Sequence, residues 1–294
     1  MAISQTKIWF LAARPKTLPA AAAPVVIGTA LAVADGRFHG LSALCALLGA
    51  LLIQIGTNFA NDYFDHAKGA DTGGRIGPLR VTQAGLVRPK TMRAATALVF
   101  LLACVPGLYL VVRGGWVFVV IGLASILCGV LYTAGPYPLG YHGLGDLFVL
   151  VFFGPVAVAG TYYAQALELH GHAIAMGFST GLFSVAILAV NNLRDIDQDR
   201  VAGKKTLAVR CGRTFARGEY LVALIVGGGV IPLALCANAG RWPALGSLVV
   251  LMLAAPTVRA VFTRTDGPSL NNALASTGQL LAVFSLLFSI GWMV

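Results

Sequence analysis

Apolar runs of about 20 residues recur along almost the whole chain, and a helix needs about that length to cross the hydrocarbon of a bilayer. Nine stretches qualify, at 17–33, 41–63, 92–112, 116–133, 144–167, 174–193, 220–237, 243–261 and 273–293. Charged residues make up 11% of the chain, against about a quarter in soluble domains, so no water-soluble core accounts for this pattern. The spacing predicts an all-α polytopic membrane protein of nine transmembrane helices, forming one integral domain over residues 1–294. Pro19 and Pro24 are expected to kink the first helix or delay its start. Lys7, Arg14 and Lys16 precede it as in a signal peptide, but no convincing cleavage site follows, so it reads as a retained helix.

Nine crossings put the N-terminus and the connections after helices 2, 4, 6 and 8 on one side. That side holds 18 of the 21 Lys and Arg residues, and the other holds only Arg37, Arg113 and Arg241. By the positive-inside rule the N-terminus is cytoplasmic and the C-terminus outside; the expected location is a bacterial cytoplasmic (inner) membrane. The net charge of +10 is thereby topogenic, and nucleic acid is set aside as a partner. Cys45, Cys104, Cys128, Cys211 and Cys236 are scattered without a CxxC pair, which argues against disulfides and zinc. Two long connections, 64–91 and 194–219, are expected to form a lid over one face.

Acids are scarce, yet Asp62, Asp65, Asp71, Asp195, Asp197 and Asp199 supply six of the eleven Asp and Glu, at the ends of the second and sixth apolar runs. That recurrence, four helices apart, predicts two related four-helix halves plus one further helix around a central cavity. On a helix, positions i, i+3, i+4 and i+7 share a face. Asn58, Asn61, Asp62 and Asp65 fit that spacing, as do Asn192, Asp195 and Asp199. Asp197 falls off the face and is expected to be solvated or salt-bridged. A polar cap meeting water needs one such residue. Two ridges running up to two turns into apolar helices are costly unless they face a polar cavity and bind something. Carboxylate and amide oxygens form a hard donor set suited to Mg²⁺, which is usually shared with substrate phosphates. Lys68, Arg75, Arg80, Arg194, Lys204, Lys205 and Arg210 lie nearby in sequence and are suited to a diphosphate, although each alone also serves as topogenic charge.

Other patterns carry less. Gly203-Lys204-Lys205-Thr206 lacks the upstream Gly and the strand of a phosphate loop. His170 and His172 sit in an outer connection without a partner, and Gly227 to Gly229 is expected to allow close helix packing. Tyr132, Tyr137 and Tyr141 crowd a Gly/Pro-rich segment ahead of Asp146. They are either interfacial belt residues or ring faces that shield a cationic intermediate.

These residues resemble the UbiA-type intramembrane prenyltransferases, whose two Asp-rich motifs lie on helices 2 and 6. Asn61, Asp62 and Asp65 match the first motif, Asn-Asp-x-x-Asp-x-x-x-Asp, while its last position is Gly69 with Asp71 the nearest acid. Asp195 and Asp199 match the second, Asp-x-x-Asp-x-x-x-Asp, with Asn192 in place of its first acid. Arg14 to Pro19, Arg75 to Arg80, Tyr132-Thr133, Gly143 to Asp146, Asn191 to Asp195 and Lys205 to Leu207 are similar to the 1,4-dihydroxy-2-naphthoate polyprenyltransferase branch of menaquinone biosynthesis. The similarity runs to about Gly212, and the last three helices are generic.

The resemblance implies Mg²⁺-dependent transfer of a prenyl group from an all-trans polyprenyl diphosphate to 1,4-dihydroxy-2-naphthoate, releasing diphosphate and CO₂ and giving demethylmenaquinone. The lipid tail would lie among helices open to membrane lipid. It implies Asp65, Asp195 and Asp199 as metal ligands supported by Asn61, Asp62 and Asn192, with Lys68 and Tyr132 also in the catalytic set. Lys68, Arg75, Arg80, Arg194, Lys205 and Arg210 would hold the diphosphate, and Asp71, Gln83 and Tyr132 would orient the acceptor. The competing readings are another aromatic acceptor such as 4-hydroxybenzoate, or a cation-coupled transporter using its intramembrane acids.

Overall fold

The structure is a computed structural model, which describes residues 4–69, 77 and 79–294. Among these residues helix is the only regular structure. A short helix α1 (Gln5–Ala13) leads through a left-handed Arg14 (φ 51°) into α2 (Leu18–Ala34). Then follow α3 (Gly40–Ala67), α4 (Pro89–Gly114), α5 (Trp116–Leu131), α6 (Gly145–Ala166), α7 (Gly171–Val201), α8 (Leu207–Ala239), α9 (Trp242–Thr263) and α10 (Gly267–Met293). Eight segments, the first of them α1 and α2 together, are long and apolar enough to cross a membrane. The shorter apolar α5, of 16 residues, completes nine. The protein is an integral membrane protein.

Local chemistry explains the element boundaries. Pro19 sits in the first turn of α2, where its missing N–H has no helical partner to lose, so it starts the helix instead of delaying it. Pro24 is accommodated inside α2 and buried. α3 and α7 run past the apolar stretches, to Ala67 and Val201, and carry both polar ridges as helix. The expectation of a long connection over 194–219 is therefore corrected. Residues 194–201 belong to α7, helix resumes at Leu207, and only 202–206 link the two. The charged end of α7 stays helical because its acids find partners within reach, such as Arg200 three residues after Asp197 (4.0 Å).

The main core joins α2, α6, α7, α8, α9 and α10 around Ile27, Leu31, Tyr162, Phe183, Phe284 and Phe288. Its centre is a run of aromatic contacts, Phe183–Phe284–Phe288–Trp292, with centroids 4.9, 6.1 and 5.3 Å apart. A second cluster packs α1 and the 80–88 turn onto α3 and α4 through Ile8, Ala12, Phe59, Val81, Val87 and Met92. α4 and α5 expose Leu98, Leu101, Leu102, Val105, Val120 and Leu127, as suits a lipid-facing wall.

α6 is broken at Gly154 and Pro155, and this break presses against α7. A Cβ on Gly177 would lie 2.5 Å from the Pro155 Cα, and one on Gly154 would lie 2.8 Å from the Gly177 carbonyl oxygen. Thr180 Oγ1 donates to the Phe153 carbonyl (3.0 Å) beside the break. The same logic brings Gly227 within reach of α7, where a Cβ would meet the Ser179 carbonyl at 2.9 Å. The glycine run does serve close packing. Because the obstacle at Gly177 is backbone and cannot rotate away, Gly177→Val is expected to destabilise the bundle by about 1–3 kcal/mol. A lowered thermal midpoint in detergent, with wild-type helix content at low temperature, is the measurement that checks it.

Candidate active site

Helices α2 to α7 and α10 surround a chamber of about 960 Å³. Ile53, Phe118, Leu123, Ile126, Phe148 and Phe152 form part of its apolar wall, while both polar ridges line its other end. The helical-face expectation thus holds in its main point: residues from the ends of α3 and α7 meet across one cavity.

On α3, Asn58, Asn61 and Asp65 line the chamber. Asn58 Nδ2 donates to the Ala13 carbonyl (2.9 Å) and to Thr17 Oγ1 (3.2 Å), which ties α3 to the Arg14 turn. Asn61 Oδ1 accepts from Thr133 Oγ1 (3.0 Å). Asp65 is 1% exposed, and its carboxylate accepts from Arg80 Nη2 (2.6 Å) and the Tyr141 hydroxyl (3.0 Å). Asp62, expected among the metal ligands, does not line the chamber. Its two oxygens accept the backbone N–H groups of Val81 and Thr82, each at 3.1 Å. With both oxygens engaged it anchors the turn that delivers Arg80, and its place is positional.

On α7, Asn192, Asp195 and Asp199 line the chamber. Asp195 is gripped by its neighbour Arg194, Nε to Oδ1 at 2.7 Å and Nη2 to Oδ2 at 2.6 Å. Arg194 also donates to Asn191 Oδ1 (2.8 Å) and Asn271 Oδ1 (2.7 Å). Its guanidinium is a hub between α7 and α10, with four of its five N–H groups serving these partners. Asp197 points outward at 69% side-chain exposure and pairs with Arg213 Nη2 (2.6 Å), as its off-face position implies.

The cations divide sharply. Arg80 and Arg194 line the chamber. So does Lys204, whose Nζ stands 3.7 Å from Asp65 Oδ1 and 3.7 Å from Asp199 Oδ1. Lys68 lies at the rim, donating to the Gly135 carbonyl (3.0 Å) with its ammonium 5.0 Å from the centre of the Tyr141 ring. Partial desolvation pulls the Lys68 pKa below the usual lysine value, with Asp65 opposing the shift and Lys204 adding to it. Lys205 and Arg210, expected at the diphosphate, are exposed and do not line the chamber. Arg210 staples the connections instead, Nε to the Lys205 carbonyl (2.9 Å) and Nη2 to the His142 carbonyl (2.9 Å). Gln83 is half-buried and off the chamber wall. Asp71 and Arg75 lie outside the described residues.

Tyr132 lines the chamber, packed so closely on the next segment that a Cβ on Gly145 would meet its hydroxyl at 2.9 Å. Tyr141 reaches the site as well. Its hydroxyl holds Asp65, and its ring carries the Lys204 ammonium at 4.8 Å from the centroid. Neither Tyr141 nor Asn271 stands out among the site residues in sequence. Tyr141 belonged to a visible Tyr cluster, whereas Asn271 lies in the generic last helix and gives no signal.

The donor set tests the expected metal. Carboxylate and amide oxygens at the polar end of the chamber suit a hard cation. Among the described residues, however, no three His, Cys, Asp or Glu groups converge to hold an ion by themselves. This fits Mg²⁺, which is usually bound by one or two carboxylates together with substrate phosphates and seldom by an all-protein cage.

Fold and site together define an integral membrane bundle that encloses an apolar chamber headed by two opposed acid-and-amide ridges. The profile of the UbiA prenyltransferase family matches residues 21–292. The chain is 41% identical to the 1,4-dihydroxy-2-naphthoate octaprenyltransferase of Escherichia coli strain K12, over 98% of this chain and 96% of that one. It is 37% identical to the protein of the same name in Haemophilus influenzae, with the same coverage. A solved UbiA homologue from Archaeoglobus fulgidus, bound to GPP and Mg²⁺, shares the fold at TM-score 0.64 and 14% identity, covering 98% of this chain and 100% of that one. The chain belongs to the UbiA prenyltransferase family. The transporter reading is thereby dropped.

The Asp62 geometry gives its own test. Asp62→Ala removes the acceptor of two buried amide donors and is expected to cost about 1–3 kcal/mol. Faster proteolytic cleavage within 77–88, with cleavage elsewhere unchanged, is the readout.

Proposed function

We propose that this enzyme transfers a polyprenyl group from an all-trans polyprenyl diphosphate to 1,4-dihydroxy-2-naphthoate, releasing diphosphate and CO₂ and giving demethylmenaquinone. The observation that carries the proposal is the meeting of the α3 and α7 ridges at the head of an apolar chamber, in a chain that matches 1,4-dihydroxy-2-naphthoate octaprenyltransferases over nearly its full length. The N-terminus and the ridge end face the cytoplasm, by the 18-to-3 division of Lys and Arg. The membrane is the cytoplasmic (inner) membrane of a bacterium.

Asp65, Asp195 and Asp199, supported by Asn61 and Asn192, would offer the metal its protein ligands, one or two acids to an ion, with substrate phosphates completing the set. Bound there, Mg²⁺ would neutralise charge on the leaving diphosphate. Arg80 and Lys204 supply positive charge from the chamber wall, and Lys68 supplies it from the rim. They lower the barrier by stabilising the negative charge that grows as the allylic C–O bond breaks. The polyprenyl tail lies in the apolar part of the chamber, where water is excluded and the allylic cation survives long enough to be attacked by the electron-rich naphthalene ring. The Tyr132 ring face stabilises that cation. Tyr132, with Asp71, orients the acceptor, Gln83 is left out of that set by its place off the chamber wall, and Arg75 joins the diphosphate set.

Purified protein with Mg²⁺ and geranylgeranyl diphosphate, offered each acid in turn, is expected to prenylate 1,4-dihydroxy-2-naphthoate. Product formed only from 4-hydroxybenzoate would overturn the acceptor assignment. Asp65→Asn and Asp195→Asn each lose the charge and keep one of the two accepting oxygens, the other becoming an amide donor that faces Arg80 or Tyr141 at position 65 and Arg194 at position 195. Each is expected to lower turnover by at least about a hundredfold, equivalent to about 2.7 kcal/mol, in protein that still folds with wild-type helix content. Asp197→Asn is expected to stay within about threefold of wild type, since Asp197 is itself 69% exposed and off the chamber. A loss equal to that of Asp195→Asn would refute the division of the α7 ridge.

A further inference from the structure

Lys204 is placed by the backbone. α7 ends at Val201, Gly203 turns the chain at φ +71°, and the Lys204 N–H donates to the Asp199 carbonyl (2.8 Å). That reversal sends its side chain back over the end of α7 into the chamber, while Lys205 faces out. The ammonium, on a side chain 17% exposed, is equidistant from one carboxylate of each ridge, 3.7 Å from Asp65 and 3.7 Å from Asp199. It also rests over Tyr141, whose hydroxyl holds the same Asp65. Both ion-pair distances are longer than a tight charge-assisted hydrogen bond of about 2.7–2.9 Å, so the ammonium is poised between two partners and locked to neither.

We infer that Lys204 is an intramolecular counter-ion that bridges the two ridges, and that it couples entry of the divalent cation to entry of the diphosphate. The inference rests on the metal–diphosphate reading of this chamber. Two carboxylates facing one cavity repel each other, and a single positive charge between them relieves that repulsion. A divalent cation arriving alone must displace the ammonium, leaving it in a poorly solvated chamber without an anion. A cation arriving with a diphosphate brings phosphate oxygens to which the displaced ammonium pairs. The absence, among the described residues, of any three-acid cluster able to hold an ion unaided points the same way. Lys204 is thus a positioning residue for the metal, distinct from a ligand.

Full-length protein in detergent would be titrated with Mn²⁺ while unbound Mn²⁺ is read by electron paramagnetic resonance. Thermal midpoints would be taken in Mn²⁺, in inorganic pyrophosphate and in both. Wild type is expected to bind Mn²⁺ weakly and to gain more from the two together than from the sum of each. Lys204→Met is expected to bind Mn²⁺ alone about tenfold more tightly and to lose that synergy, while Lys204→Arg keeps it. Lys90→Met, which removes an exposed lysine at the start of α4 that does not line the chamber, is expected to change Mn²⁺ binding by less than about twofold. Equal Mn²⁺ affinity in Lys204→Met and wild type, or an equal gain in Lys90→Met, would overturn the bridging role alone. No stabilisation of wild type by Mn²⁺ with pyrophosphate would overturn both this inference and the metal–diphosphate reading beneath it.

Discussion

Buried carboxylates matched by neighbouring hydrogen-bond donors and cations are the constraint on which the polar end of this bundle depends. An isolated charge in such a place is prohibitively costly, and the chain meets that cost with local partners. Asp65 draws an arginine from the following turn, a tyrosine from the segment after α5 and a lysine from beyond α7. Asp195 takes its arginine from the adjacent position. Each acid therefore gathers chain segments far apart in sequence, and the chamber's head is assembled by electrostatics as much as by packing.

That assembly divides labour among residues of one chemical type. Asp62 and Asp65 are three positions apart on α3, yet one faces a turn and the other a cavity. Asp62 organises backbone, and the turn it fixes carries the arginine that neutralises Asp65. Arg194 and Arg80 differ in the same way: Arg194 is shared among Asn191, Asp195 and Asn271, and so fastens α10 to α7 at the depth of the ridge. The exposed Arg210 works on carbonyls alone. Charge near an active site is as often scaffolding as chemistry.

Periodicity and hydropathy are local and strong, so the nine helices and the pairing of the α3 and α7 ridges were legible in the sequence. The off-face position of Asp197 was legible for the same reason, since it needs only the geometry of one helix. What escaped depends on which way the chain turns after a helix ends. The choice between Lys204 and Lys205 rests on one glycine with positive φ, and adjacent lysines are indistinguishable by composition. The outward place of Arg210 and the inward hydroxyl of Tyr141 are likewise set by tertiary contact. The α7 extension to Val201 was legible only in the helical spacing of Asn192, Asp195 and Asp199, because its charged residues lower the hydropathy that marks the apolar stretch.

The shortness of α5 has a consequence for the surrounding lipid. Sixteen residues give an apolar rod of roughly 24 Å, less than the roughly 30 Å of a typical hydrocarbon core. Trp116, 74% exposed at its start, suits an interfacial anchor at that end. A short span is accommodated by thinning of the bilayer, by snorkelling of flanking residues or by association, and here it falls on the wall that lends Phe118, Leu123 and Ile126 to the chamber. Bilayer thickness is therefore a variable that bears on one side of the chamber itself and not only on the outside of the bundle.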